Sequence, residues 1–268
     1  MWKSLWSKGS FCLAASLLIC AVFSCSTLPA ADLHTIIVGD TDATDLMPGL
    51  KFDVNNMRAE SKNIAKYSGL KLKEKVFLGD NSRTSLVLSQ LKNLQVQSND
   101  TILFYFTGHG YRTRSKLDNP WPNLFFTFED YGIDVNDVVS ILSDKKARFV
   151  LIINDCCNTY LSEAGAPFLA KEMVHGFKAT SNLKKNYQNL FLNSRGIIVI
   201  ASSKIGQSSL CTEKGSLYTL AFLASLDIET KKAPNIVSWQ TVLDQATYKV
   251  ELKAQKYDEE QNPIFLIE

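Results

Sequence analysis

Two short motifs hold the residues of this chain that can do chemistry, Thr107-Gly108-His109-Gly110 and Asn154-Asp155-Cys156-Cys157. A cysteine is a nucleophile only as thiolate, and an imidazole within hydrogen-bond reach is a base that can make it one. About 48 residues separate His109 from Cys157, so the fold must bring them together. The segments in front of them indicate how. Thr101 to Phe106 (TILFYF) runs into the histidine and Phe149 to Ile153 (FVLII) into the cysteine. Short apolar, β-rich runs that end in Gly or Asp predict buried parallel strands. Reactive groups of open α/β sheets gather at the carboxyl ends of strands. Adjacent strands would therefore set a thiol and an imidazole on one rim, the arrangement of a cysteine hydrolase.

The rest of the sequence supplies a frame for those strands. A first strand is predicted over about 34–39, then a loop rich in Asp, Thr and Pro. A helix over about 53–68 follows, with Val54, Met57, Ile64 and Ala65 near one stripe. A second strand, about 72–78, ends in the turn signal Gly79-Asp80-Asn81. The next helix, about 84–94, is capped by Ser82 or Thr84 and should turn Leu86, Leu88 and Leu91 inward. Residues 111–128, with Pro120 and Pro122, read as a long loop over the site, and a helix over about 136–142 precedes the cysteine's strand. Residues 158–192 read as a linker with some helix. A strand (about 196–202), two helices (about 215–227 and 238–255) and a last strand (about 263–267) complete the chain. This alternation predicts an α/β fold with helices on both faces of a mainly parallel sheet.

The ordered set of motifs resembles the caspase and metacaspase cysteine peptidases, the metacaspase branch more closely. The resemblance rests on the His-Gly and Asp-x-Cys strand ends, with His34 to Asp40 (HTIIVGD) as first strand. It extends through Gly49 to Met57 (GLKFDVNNM), Arg195 to Ser203 (RGIIVIASS), Gly215 to Leu223 (GSLYTLAFL) and Gln261-Asn262-Pro263 before IFLI. It implies a three-layer fold with a six-stranded sheet over residues 34–268. Within it, 34–160 is p20-like and 195–268 p10-like, with a linker between.

By the same resemblance Cys157 is the nucleophile and His109 the general base and acid. The N–H groups of Gly110 and Cys157 would form the oxyanion hole, and Asp53 and Asp155 would line the S1 pocket. Cys156 takes the middle, inward-facing position, and strand alternation allows only one of the two cysteines to face the rim. A carboxylate pair in S1 would hold a guanidinium or ammonium by charge-assisted hydrogen bonds, so cleavage after Arg or Lys is expected. Plainer roles exist: Asp53 as a helix cap, Asp155 as an acceptor for backbone N–H groups, and the cysteines as small core residues. Lys178, Lys184, Lys185 and Arg195 stand where family members are often cut, so self-cleavage after them is an expectation.

Two departures from the family pattern stand out. Asn158-Thr159-Tyr160 follows the nucleophile where metacaspases have His-Ser-Gly. Calcium-binding relatives carry an acidic stretch after His-Gly, but here Asp118, Glu129, Asp130 and Asp134 are scattered among aromatics. That oxygen density is low for calcium, and no cofactor or metal is expected. An inactive caspase-fold interaction module at the cell envelope is the alternative that the altered Asn158 loop leaves open.

A hydrophobic share of 46% suits a chain that buries a core, and a net charge of +2 without basic runs argues against nucleic acid as a partner. The expected partner is a protein or peptide substrate. Residues 1–25 read as a signal peptide: Lys3 and Lys8 precede an apolar run from Phe11 to Phe23 that is short for a membrane span. Val22-Phe23-Ser24-Cys25 resembles a loose lipobox that would lipidate Cys25, with 26–33 as tether. Cleavage near Ala30 and an uncleaved anchor are the competing readings. All three place the folded part outside the cytoplasm. Its cysteines Cys156, Cys157 and Cys211 include no CxxC pair, so structural zinc is not expected.

Overall fold

The computed structural model describes residues 31–116, 119–160, 182–233 and 236–268, with the backbone of 168–169. The expectations for the signal peptide, Cys25, Asp118 and Lys178 lie outside the described residues. Six strands form the central sheet: β1 (Asp32–Gly39), β2 (Lys71–Leu78), β3 (Thr101–Thr107), β7 (Phe149–Asp155), β9 (Gly196–Ala201) and β12 (Ile264–Ile267), in the order β12-β9-β7-β3-β1-β2. Every pairing is parallel except that of β12 with β9. β3 and β7 are buried along their whole length, which is why they read as continuous apolar runs. At the edge, β2 alternates, and exposed Lys71, Lys73 and Lys75 keep that edge from pairing further.

Side-chain alternation along the strands divides the interior into two layers. Leu33, Ile37, Leu103, Tyr105, Leu151 and Ile153 face one side. There they meet α1 (Gly49–Ser68), α4 (Leu183–Tyr187), α5 (Leu217–Lys231) and α6 (Trp239–Gln255). Ile36, Val38, Phe104, Phe106 and Ile152 face the other, against α2 (Thr84–Asn93) and α3 (Val135–Ser143). The result is the three-layer α/β architecture that the resemblance implies.

The structure corrects three expectations. Residues 111–128 are not one long loop. β4 (Gly110–Tyr111), β5 (Asn123–Phe126) and β6 (Tyr131–Asp134) form an antiparallel sheet. Leu124, Phe126 and Ile133 alternate inward from it, and the Phe126 ring packs 5.7 Å from that of Phe106. On α2 Val87 and Leu91 are buried and Leu88 packs against the same layer as expected, while Leu86 is exposed, because the helical stripe is turned by one residue. α1 begins at Gly49, with Pro48 at the N-cap where a missing N–H costs nothing. Asp53 therefore lies inside the helix and does not cap it.

Beyond β7 the chain forms β8 (Phe168–Leu169), which pairs with the hairpin of β10 (Cys211–Thr212) and β11 (Gly215–Ser216). The end of the expected linker includes α4, whose Tyr187 donates a 2.7 Å hydrogen bond to buried Glu60 on α1. Burial pushes the Glu60 carboxyl up to about 7, against the lowering effect of bonds from Tyr187 and Asn63. An acid raised in the folded state adds stability below its unfolded pKa and loses it as pH rises through the folded value. Glu60→Gln is thus expected to be the more stable protein at pH 8, by roughly 2–3 kcal/mol, with little difference near pH 4.5. Thermal melts of both proteins across that range check it.

Candidate active site

Register delivers the site. Thr107 at the end of β3 pairs with Asp155 at the end of β7, so His109 and Cys157 each emerge two residues beyond a matched pair. Gly39 at the end of β1 pairs with Thr107 on the other side. His109 and Cys157 line one small cavity of about 10 Å³, together with Leu46, Leu50, Thr107, Asp155, Ser209, Cys211 and Ser216. Cys156 is turned into the core beneath α2 and α3, its N–H bonded to Ser202 Oγ at 3.0 Å. Gly110 must lack a side chain, because a Cβ there would stand 2.5 Å from Cys156 Sγ and overlap the Cys157 carbonyl.

The Cys157 thiol is 7% exposed, and burial raises its pKa. The Ser209 N–H, 3.3 Å from Sγ, and the Ser208 hydroxyl work against that rise. A raised thiol at neutral pH needs a base, and His109 is the imidazole on the same cavity wall. His109 Nε2 lies 3.1 Å from both carboxylate oxygens of Asp45, in a single 3₁₀ turn (Thr44–Leu46) after β1. Among the described residues the Cys157 N–H has no acceptor, which leaves it available to an oxyanion. All three described cysteines are free thiols.

Asp155 forms part of the cavity wall, and Asp53 lies behind it, fully buried. Asp155 accepts bonds from Ser209 Oγ (2.9 Å), Thr219 Oγ1 (2.6 Å), Thr219 N–H (3.1 Å) and Ser216 Oγ. Three of those donors belong to the start of α5, so the helix's positive end also faces this carboxylate. Asp53 accepts from the Ser216 N–H at 3.0 Å and from Thr107 Oγ1 at 3.2 Å. Burial first, and then the charge of Asp155, pushes the Asp53 carboxyl well above its ordinary range. Burial also raises Asp155, and its hydroxyl partners oppose the rise.

Sequence reasoning missed Asp45, Ser209, Ser216 and Thr219. The last three reach Asp155 from 54 to 64 residues away, and no local spacing marks them. The unusual Asn158 is an anchor: its Nδ2 bonds the carbonyls of Pro120 (2.9 Å) and Ser203 (3.2 Å) next to Cys157. Lys184 and Lys185 are exposed on α4, and Arg195 is exposed just before β9. Two of the scattered acids already serve protein donors, Glu129 the Thr84 N–H and Asp134 the Asn136 N–H and Lys116. Among the described residues the one close group of metal-ligating side chains is Asp32, His34 and Asp100. It sits at the opposite end of β1 and β3, where His34 Nε2 bonds Asp100 at 2.9 Å and Lys73 pairs with Asp32.

A thiol and an imidazole brought by neighbouring parallel strands to one cavity, with a carboxylate in its wall, are the elements of a cysteine-hydrolase site. The chain matches the caspase-domain model of the C14 peptidases over residues 34–267 and belongs to that family of cysteine peptidases. No individual curated protein matches it.

Proposed function

We propose that the protein is a cysteine endopeptidase that cleaves after Arg or Lys with a Cys157–His109 dyad. The observation that carries this reading is the shared cavity of His109, Cys157 and Asp155, with Asp53 directly behind. His109 takes the thiol proton, Cys157 Sγ attacks the scissile carbonyl, and the oxyanion is held by the N–H groups of Gly110 and Cys157. The imidazolium then protonates the leaving amine. Water, deprotonated by the same imidazole, releases the acyl group and regenerates the thiol. The P1 guanidinium or ammonium enters beside Asp155, exchanging hydroxyl donors for charged ones. No cofactor takes part in these steps, and calcium is not called on. The N-terminal segment is part of the same proposal: export, with lipidation at Cys25 tethering the domain to the cell envelope.

The test is a panel of fluorogenic peptides with Arg, Lys, Asp and Asn at P1, under reducing conditions with and without calcium. Cleavage is expected after Arg and Lys, with the Asp substrate slower by about 10³-fold or more. Preference for Asp or Asn would sink the specificity, and no cleavage of any peptide by folded protein would sink the activity.

A further inference from the structure

The three strands that build the site lie side by side as β1, β3 and β7, and the segments past their carboxyl ends bring three ionisable groups together there. These are Asp45 after β1, His109 after β3 and Cys157 after β7, so the order across the sheet is acid, imidazole, thiol. We propose that Asp45 is the positioning residue of a three-member relay, fixing the His109 tautomer and holding its imidazolium while Cys157 is the thiolate. This inference rests on the peptidase reading and extends it to a third side chain.

The contact geometry supports it. Both oxygens of Asp45 stand 3.1 Å from His109 Nε2. With the Nε2 proton donated to that carboxylate, Nδ1 is left as the nitrogen that exchanges a proton with thiol and leaving group. The other charged or titratable groups around His109 are placed differently. Asp40, at the end of β1, spends both oxygens on Thr127, on its N–H at 3.1 Å and its hydroxyl at 2.7 Å. Asp155 is committed to Ser209, Ser216 and Thr219, and Cys157 Sγ to the Ser209 N–H. Asp45 is the acid in hydrogen-bond contact with the imidazole. Its side chain is 63% exposed and that of His109 is 28% exposed. Solvent screens such a pair in the free protein, and a substrate lying over the cleft would remove that screening.

The experiment compares the purified chain with Asp45→Asn and Asp45→Glu. The chain has three histidines, so the imidazole nitrogen NMR signals can be resolved, the tautomer read from them, and His109 assigned with His109→Gln. In Asp45→Asn the neutral His109 ring should lose its preference for the proton on Nε2, and Asp45→Glu should recover most of it. The rate of Cys157 alkylation by iodoacetamide near neutral pH, read by mass spectrometry at that residue, should fall in Asp45→Asn. On an Arg peptide, kcat should fall roughly 10-fold with KM little changed. High salt should shrink the difference. An identical His109 tautomer and identical alkylation in parent and Asp45→Asn would overturn the proposal and leave a surface ion pair. An altered tautomer and altered alkylation in a protein that cleaves no peptide would overturn the peptidase reading alone.

Discussion

Cys157→Ala is expected to abolish peptide hydrolysis, with a loss of at least about 10⁴-fold in kcat while substrate still binds. Everything in the proposed mechanism that distinguishes covalent catalysis from mere binding passes through this sulfur. Cys156→Ala is the informative neighbour. Its side chain is held in the core beside Gly110, so its loss should cost some stability and leave the hydrolytic mechanism intact. Cys157→Ser should also be close to silent, because a buried hydroxyl is a far poorer nucleophile than a thiolate paired with imidazolium. Active-site titration with an Arg-directed, thiol-reactive probe, run beside steady-state rates, checks all three. A Cys157→Ala protein that still turns over would move the nucleophile elsewhere. Full silence of Cys156→Ala with unchanged melting would assign the chemistry to the wrong cysteine.

What made this pair visible in sequence was the purity of the strands that carry it. β3 and β7 are covered on both faces, so nothing interrupts their apolar runs until the His-Gly and Asp-Cys-Cys ends. The parts that were not legible share a different cause. Asn123–Phe126 and Tyr131–Asp134 are four residues each, set among prolines and acids, and become strands only because Leu124, Phe126 and Ile133 find a buried face. Tertiary packing decides such short segments. Asp45 sits in a polar loop that also contains Asp40 and Asp42, and no spacing rule separates the acid that meets His109 from its neighbours. The shell around Asp155 was likewise invisible, since Ser209, Ser216 and Thr219 are ordinary hydroxyl residues until β10, β11 and α5 fold them under the rim.

That shell leads to the second large effect. Asp155→Asn should reduce kcat/KM for Arg peptides by about 10²- to 10³-fold, the scale for removing one partner of a buried charge pair. Asp53→Asn should cost less. The two buried carboxyls repel one another, and Asp155 has more donors than Asp53 to stabilise its charge. Of the two, Asp155 is the better placed to carry a charge. Asp53→Asn removes the carboxyl whose charge would oppose that of Asp155. Asp155→Asn removes the member that touches the cavity. The pH dependence follows the same logic. Because both carboxyls are raised, the protonated pair is favoured at low pH, and kcat/KM for Arg should climb with pH through a range above that of ordinary carboxylates. The climb should be much shallower for a peptide with a neutral P1 residue. Asp155→Asn will also weaken the start of α5, where Thr219 N–H and two hydroxyls lose an anionic acceptor. Melting temperature must therefore be measured beside activity. A stability defect lowers the rates for every substrate alike, whereas loss of an S1 carboxylate changes the ratio of Arg to neutral P1. An unchanged ratio in Asp155→Asn would leave Asp155 as a helix anchor and place the source of specificity outside this pair.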